Sequence, residues 1–132
     1  MTVFVDTSAL YAILDRNDAH HAEAAKTWER LLTESAVIVT HNYVLVEASA
    51  LAQHRLGVAA LRSLHEDIFP VLRVEWIDLE RHRTAVEMVL AAARKKLSVV
   101  DCASFLVMRD AAIAEAFCFD RHFREQGFHT LP

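Results

Sequence analysis

Short runs of β-branched and aromatic residues alternate with helix-like segments along this chain, and this alternation restricts the fold more than any other feature. Strand-like runs occupy residues 2–6, 36–40, 71–77 and 114–119. Strands that are joined through helices pair in parallel, and the connecting helices cover the faces of the sheet. The sequence therefore predicts an α/β domain with a mostly parallel sheet that is covered on both faces.

The segments between these runs carry apolar residues three and four positions apart, which is the spacing of an amphipathic helix. Thr7 or Ser8 is a suitable N-cap for the first helix, and Gly57 is a suitable terminator for the third. The first helix is predicted directly after Ser8. Further helices are predicted from about Asp18 to Thr33, from Asn42 to Leu56, over residues 58–68, from Asp78 to Lys96 and from Ser98 to Arg109. The tail, residues 127–132, is expected to add a short edge strand.

Length and composition indicate one soluble domain over residues 1–132, without linkers or repeats. No uncharged apolar run reaches the length of about 18 residues that a membrane span needs. No basic residue precedes Asp6, no signal-peptide pattern is present, and the two cysteines, Cys102 and Cys118, are too few for a disulfide scaffold. We therefore expect a cytoplasmic protein with no membrane partner.

Charge and glycine content exclude several classes of function. The formal net charge is −4, so this chain does not bind nucleic acid through an overall positive charge. A polyanionic substrate would need positive charge close to its binding site. The only glycines, Gly57 and Gly127, do not form a glycine-rich phosphate cradle, so no nucleotide cofactor is expected. Zinc-binding patterns such as CxxC and HExxH are absent.

Four acidic residues stand in largely apolar surroundings. Asp6 ends the first strand and Asp120 follows the strand over 114–119, so both are expected at the carboxyl edge of the sheet, where α/β proteins bind ligands. Glu47 and Asp101 lie within predicted helices and have apolar residues three or four positions away, which predicts that both face inward. Because unpaired buried carboxylates are costly, four of them together indicate that a cation holds them.

Each of these acids also has a local structural explanation, which the sequence leaves open. A carboxylate caps the start of a helix, closes a turn or pairs with a buried arginine in many proteins that bind no metal. The alternatives are a helix cap for Asp6, a capping box between Ser98 and Asp101, an ion pair of Glu47 with Arg94, and an ordinary turn at Asp120.

The blocks of sequence around the four acids resemble those of PIN domains, in particular the small single-domain kind found in VapC-type toxins. They are "FVDTSAL" at residues 4–10, "THNYVLVEASAL" at 40–51, "LSVVDCASF" at 97–105 and "FDRHF" at 119–123. Together with "DAHHAEA" and the "GF" of the tail, they occur in the family's order over nearly the whole chain. One block alone would be weak evidence, whereas the four in succession are specific.

The resemblance implies a three-layer α/β/α sandwich and a metal-dependent endoribonuclease that hydrolyses RNA phosphodiester bonds. The family's four acids correspond to Asp6, Glu47, Asp101 and Asp120, and the implied metal site consists of Asp6, Asp101 and Asp120. The implied cofactor is Mg²⁺ or Mn²⁺, which prefer hard oxygen ligands. We expect Asp6 and Asp101 to bind it directly or through one water, and Asp120 and Glu47 to act through waters or on a second ion.

Polar positions that match the surroundings of the family's site are Thr7, Ser8, Asn42 and Cys118. For the first three, a helix cap is an equally good explanation. At residue 118 the family often has a hydroxyl, and the thiol found here is a weaker hydrogen-bond donor. Basic residues near the acids that are expected to guide RNA are Arg94, Lys95, Lys96 and Arg121, although such a run is usually a solvated face.

The resemblance further implies that this is the toxin of a type II toxin–antitoxin pair, with an antitoxin protein as partner and a homodimer as assembly. Alternatives are a stand-alone PIN-domain nuclease that processes RNA and a PIN-fold binding module without catalysis. A phosphoacceptor receiver domain and a haloacid-dehalogenase-like phosphatase fit less well, because Glu47 is helical and residue 8 is a serine. A histidine-rich metal site from His20, His21 and His122 is a weaker alternative, since an exposed helix start explains the first two.

Overall fold

Five parallel strands form one central sheet in the computed structural model, which describes residues 1–132. The strands are β1 (Thr2–Val5), β2 (Val37–His41), β3 (Leu72–Glu75), β4 (Glu115–Phe117) and β5 (His129–Leu131). Their order across the sheet is β3-β2-β1-β4-β5, and every neighbouring pair is parallel. The predicted parallel sheet is thereby confirmed, as is the edge strand in the tail.

Seven helices cover this sheet. They are α1 (Thr7–Leu14), α2 (His21–Thr33), α3 (Asn42–Leu56), α4 (Val58–Ser63), α5 (Leu79–Ala92), α6 (Val99–Asp110) and α7 (His122–Glu125). Right-handed crossovers in this strand order place α1–α4 over one face and α5–α7 over the other. Accordingly, α1 packs on α2 and α3, and α5 packs on α6. The expected three-layer α/β/α sandwich is confirmed.

The central strand β1 carries the most deeply buried part of the core. Val3, Phe4 and Val5 are fully buried, because β1 has a strand on each side and helices over each face. In register, Phe4 pairs with Val39 of β2 on one side and with Ala116 of β4 on the other. A strand in this position tolerates no polar side chain until it ends, which is why the run of apolar residues stops only at Asp6.

Several predicted boundaries are wrong. The helix expected to reach Lys96 ends at Ala92, because Ala93 takes the left-handed conformation with a φ of 50°. The helix expected from Asp18 begins at His21, since the Asp18 carboxylate accepts a hydrogen bond from the His20 backbone and holds a turn there.

Two further differences concern the segment around the last acid and the segment before β3. The strand expected over 114–119 ends at Phe117, which separates Asp120 from the sheet by two residues, and the short helix α7 was not predicted. The helix expected over 58–68 is α only to Ser63, and a π-helical turn (Leu64–Ile68) and a 3₁₀ turn (Phe69–Val71) follow it.

The strand order creates a crevice at the carboxyl ends of β1 and β4. From β1 the chain proceeds to β2 and β3 on one side, and it later returns to form β4 and β5 on the other. The connections after β1 and β4 therefore diverge, and such a switch point is where open α/β sheets bind ligands. None of the helices combines the length and apolarity that crossing a membrane requires.

Candidate metal centre

Three of the four predicted acids meet at this crevice. Asp6 lies between β1 and α1, Asp101 in the first turn of α6, and Asp120 in the loop between β4 and α7. Asp101, Asp120 and His122 each offer one possible ligand atom, and these three atoms lie within 4.8 Å of one another. Asp6 lies near this group, since the charges of Asp101 and Asp120 both raise the pKa of its carboxyl.

Asp6 and Asp101 each hold the start of a helix with one oxygen. Oδ2 of Asp6 accepts hydrogen bonds from the backbone N–H and the hydroxyl of Ser8, at 3.3 and 2.9 Å. Oδ2 of Asp101 accepts from the Ser98 backbone N–H at 3.1 Å, and the Ser98 hydroxyl accepts from the Asp101 N–H at 3.0 Å, which completes a capping box. The helix-cap explanations are therefore correct for both residues.

After these local hydrogen bonds, each of the three carboxylates still has one oxygen that can act as a ligand. Asp120 closes a turn, with its Oδ1 accepting from the backbone N–H of His122 at 2.8 Å. Oδ1 of Asp6, Oδ1 of Asp101 and Oδ2 of Asp120 accept no hydrogen bond from the protein. The local hydrogen bonds thus orient three carboxylates rigidly and keep one oxygen of each available for another partner.

No lysine or arginine forms an ion pair with any of these three acids. The pKa of Asp6 is raised from 3.8 to about 7, chiefly by burial and also by the charges of Asp101 and Asp120, against the lowering effect of the Ser8 hydrogen bonds. Burial also raises the pKa of Asp101, with the charge of Asp120 acting in the same direction. Protons or a cation must supply the positive charge that the protein itself does not place there.

Glu47 does not face the interior, so that prediction is wrong. Its side chain is exposed on α3, next to the exposed Val46, whereas Val44 and Ala48 are buried. Apolar residues occur on both the buried and the exposed sides of α3, so the spacing of apolar neighbours does not orient Glu47. The proposed pairing with Arg94 is also wrong, because Arg94 donates to Glu125 at 3.0 Å.

The residues around the acids fall into two groups. Ser8 touches Asp6 directly and also accepts a hydrogen bond from the Phe119 backbone N–H at 3.0 Å, and the buried Thr7 hydroxyl has no hydrogen-bond partner. Asn42 forms a different contact: its Oδ1 accepts from the backbone N–H of Ile77 at 2.7 Å and holds the segment between β3 and α5.

Cys118 contributes to the loop that carries Asp120. Its thiol donates to the carbonyl oxygen of Asp120 at 3.7 Å. Burial raises the pKa of this thiol to about 12, and the negative charge of Asp6 adds to the shift. Cys118 is therefore an uncharged thiol that supports the turn, as a hydroxyl would.

His122 lies at the site, although the sequence alone favoured it only weakly as a metal ligand. Its side chain is buried, with Nε2 3.9 Å from Oδ1 of Asp120 and Nδ1 3.6 Å from Oε2 of Glu125. The hydrogen bond from Arg94 lowers the pKa of Glu125, which keeps that carboxylate charged. The sequence signal was the spacing of "DRH", in which a histidine follows the last acid by two residues.

A cavity of about 390 Å³ opens beside Asp120. Arg121 and Arg124 line it, together with Phe119, whose ring stacks on that of His20 with 4.3 Å between centroids. Of the basic residues predicted to guide RNA, Arg121 thus lies at the site. Arg94 and Arg121 both pair with Glu125, at 3.0 and 3.5 Å, whereas Lys95 and Lys96 are exposed and form no ion pair.

The residues present fit a hard divalent cation. Such ions bind carboxylate oxygens and keep several waters, and the site offers three oriented carboxylates without a protein counter-charge. One buried polar group without a hydrogen-bond partner, the Thr7 hydroxyl, belongs to the residue that follows Asp6. An intact protein rarely leaves such groups unsatisfied.

Known proteins match this chain over nearly its whole length. The sequence profile of the PIN domain matches residues 3–128. The 23S rRNA-specific endonuclease VapC20 of Mycobacterium tuberculosis is 34% identical over 127 residues, which cover 96% of this chain and 95% of that protein. The crystal structure of this VapC20, described as a sarcin–ricin loop cleaving toxin, superposes with a TM-score of 0.83 at 33% identity, covering 96% of this chain and 95% of the other. FitAcB of Neisseria gonorrhoeae shares the fold, with a TM-score of 0.69 at 11% identity and coverage of 98% and 96%.

Proposed function

The chain belongs to the PIN domain family, and we propose that it is a metal-dependent endoribonuclease that acts as the toxin of a toxin–antitoxin pair. The observation that carries this proposal is the meeting of Asp6, Asp101 and Asp120 at the crevice, each with one free oxygen and none paired with a lysine or arginine. Hydrolysis of a phosphodiester bond by water needs such a site more than it needs a protein nucleophile.

Asp6, Asp101 and Asp120 are the residues that would hold Mg²⁺ or Mn²⁺. When bound, the ion would polarise the scissile phosphate and help to deprotonate the attacking water. For Glu47 we propose a role through bound water or a second ion that arrives with RNA, since its exposed carboxylate is open to solvent.

The protein's own contribution is to orient these groups and to manage charge. Ser8 holds the Asp6 carboxylate, and the capping box holds that of Asp101, so neither has to reorganise when substrate binds. Three carboxylates repel a phosphate until a cation neutralises them, which couples RNA binding to metal binding. Arg121 and Arg124 in the adjacent cavity would then attract the RNA backbone.

Ribosomal RNA of the large subunit is the substrate that we propose to test first. VapC20 is described as specific for 23S rRNA and as cleaving the sarcin–ricin loop, and it matches this chain over nearly the full length of both. The same proposal includes an antitoxin that covers the crevice, a homodimer and a cytoplasmic location. A toxin that acts on ribosomes must be controlled in the compartment that contains ribosomes.

Cleavage of purified ribosomes and of total RNA, followed by sequencing of the new 5′ ends, tests the proposal. We expect discrete cleavage with Mg²⁺ or Mn²⁺, none in EDTA, and none with Asp6→Asn or Asp101→Asn. Asp67→Asn, which alters an exposed acid outside the crevice, is the matched control and should cleave normally. Cleavage that persists in EDTA or in both site variants would refute the mechanism, and RNA binding without cleavage would assign a binding module instead.

A further inference from the structure

His122 stands at the metal centre without a hydrogen bond to its ring, and we propose that its Nε2 atom is a direct ligand of the metal, with Glu125 as the residue that orients it. This inference rests on the proposed metal centre and adds a nitrogen to its oxygen ligands. It implies that the site prefers Mn²⁺ to Mg²⁺.

The geometry of His122 supports ligation. Its ring is buried with 7% of the side chain exposed, and one of its nitrogens belongs to the group of ligand atoms that lie within 4.8 Å of one another with Asp101 and Asp120. Nε2 lies 3.9 Å from Oδ1 of Asp120, beyond hydrogen-bonding distance, and Nδ1 is buried without a partner. Nε2 therefore has no hydrogen-bond partner in the protein and is free to bind a cation, whereas Nδ1 has the Glu125 carboxylate as its neighbour at 3.6 Å.

The surroundings of His122 decide which nitrogen faces the metal. Nδ1 lies 3.6 Å from Oε2 of Glu125, and Glu125 is held by Arg94 at 3.0 Å and by Arg121 at 3.5 Å. A carboxylate only accepts hydrogen bonds, so the nitrogen that faces Glu125 carries the hydrogen. In the neutral ring this leaves a lone pair on Nε2, directed to the side of Asp120.

The lone pair on Nε2 of His122 finds no hydrogen-bond donor among the carboxylates that it faces. Ionised Asp101 and Asp120 are also acceptors only, so the three groups oppose one another until a cation lies between them. A histidine that ligates a metal with one nitrogen and donates the other N–H to a carboxylate is a recurrent arrangement in metalloproteins. The same ring as an imidazolium ion would instead bridge Glu125 and Asp120 and would leave the metal with oxygen ligands alone.

A nitrogen ligand changes which metal binds best. Mg²⁺ strongly favours oxygen ligands, whereas affinity for mixed nitrogen and oxygen sites rises from Mn²⁺ along the first transition series. Loss of the His122 nitrogen should therefore weaken Mn²⁺ binding more than Mg²⁺ binding. The ratio of the two affinities reports ligation independently of RNA cleavage.

The test uses the full chain, freed of metal and loaded with Mn²⁺. Pulsed electron paramagnetic resonance should detect ¹⁴N coupling to Mn²⁺ in the wild type, and labelling of histidine with ¹⁵N should change the coupling in the unaltered protein. His122→Gln should abolish it and should weaken Mn²⁺ binding in calorimetry by about tenfold or more, with a smaller effect on Mg²⁺. Glu125→Gln should keep the coupling and weaken Mn²⁺ binding by about tenfold, the usual effect of losing such an outer partner.

His129→Gln is the matched control, because His129 is exposed and begins β5 at the opposite end of the sheet. It should keep both the coupling and the affinity. Wild-type protein that binds Mn²⁺ and cleaves RNA without histidine nitrogen coupling would overturn the role of His122 and leave the proposed function intact. Wild-type protein that binds neither ion would overturn both.

Discussion

Ser8 donates a hydrogen bond of 2.9 Å from its hydroxyl to Oδ2 of Asp6 at the crevice. The same hydroxyl accepts the Phe119 backbone N–H at 3.0 Å, two residues beyond the end of β4. Asp6 follows β1 directly, so Ser8 ties the loop that leads to Asp120 to the carboxylate of Asp6. The relative positions of two acids thus depend on one small polar side chain.

Ser8→Ala should lower both stability and activity. The hydroxyl hydrogen bond to a charged group contributes about 1.5–3 kcal/mol to stability, and its loss also frees the Phe119 segment. Because this hydrogen bond lowers the pKa of Asp6, its removal should raise that pKa further and move the acid limb of RNA cleavage to higher pH. Chemical denaturation and pH–rate profiles measure these effects. Ser49→Ala, which removes a hydroxyl that contacts His65 near the protein surface, should leave the pH profile unchanged.

Asp6 and His41 should give the metal-free protein opposing dependences of stability on pH. The pKa of Asp6 is raised from 3.8 to about 7, so its contribution is complete below about pH 4 and is lost as pH rises through about 7. Burial lowers the pKa of His41 from 6.5 to about 4, so its contribution is present above pH 6.5 and is lost as pH falls toward 4. Between these limits the two effects largely cancel.

Asp6→Asn should reveal the contribution of His41. In urea unfolding with EDTA, this variant should lose stability between pH 6.5 and 4.5 more steeply than the wild type, by up to about 1.4 kcal/mol per pH unit for one proton. His41→Asn, which keeps a capping side chain, should instead gain stability over that range. Asp67→Asn should follow the wild type. Parallel dependences of stability on pH for Asp6→Asn and the wild type would contradict the raised pKa of Asp6.

Asn42→Ala should affect stability and spare activity. The side-chain Oδ1 accepts a hydrogen bond from the partly buried Ile77 backbone N–H, so truncation removes this bond and should cost about 0.5–1.5 kcal/mol. RNA cleavage at a temperature where the variant is folded should change less than about threefold, an effect under 1 kcal/mol. A large loss of cleavage by the folded variant would instead place Asn42 at the site. Asn17→Ala, at an exposed loop position, is the control for stability.

Phe123→Ala should be the most destabilising of these changes. Phe123 is fully buried, with its ring 5.2 Å from that of Phe105 and 6.0 Å from that of Phe4. Truncation of a buried phenylalanine costs about 3–5 kcal/mol, and here it would also loosen α7, which carries His122. Phe69→Ala removes a ring that is 37% exposed and should cost much less in the same denaturation experiment.

Local pattern was sufficient for the strands, for most of the helices and for three of the acids. Apolar runs identified the first four strands to within a few residues, and the end of the first run at Asp6 predicted a carboxylate at the edge of a parallel sheet. The helix that holds Asp101 was recognisable because a capping box lies within four consecutive residues. Such signals come from residues close together in the chain, so they survive without knowledge of the fold.

Tertiary packing decided the features that join distant parts of the chain. The strand order places β4 beside β1 and so brings Asp120 to Asp6, and only packing against neighbouring helices determines that α3 turns Glu47 to solvent. Arg94 reaches Glu125 across 31 positions of sequence, which gives His122 its oriented carboxylate. The sequence by itself determined which residues were able to bind a metal, whereas the fold decided which of them meet, because the energies of long-range burial and pairing exceed those of local preference.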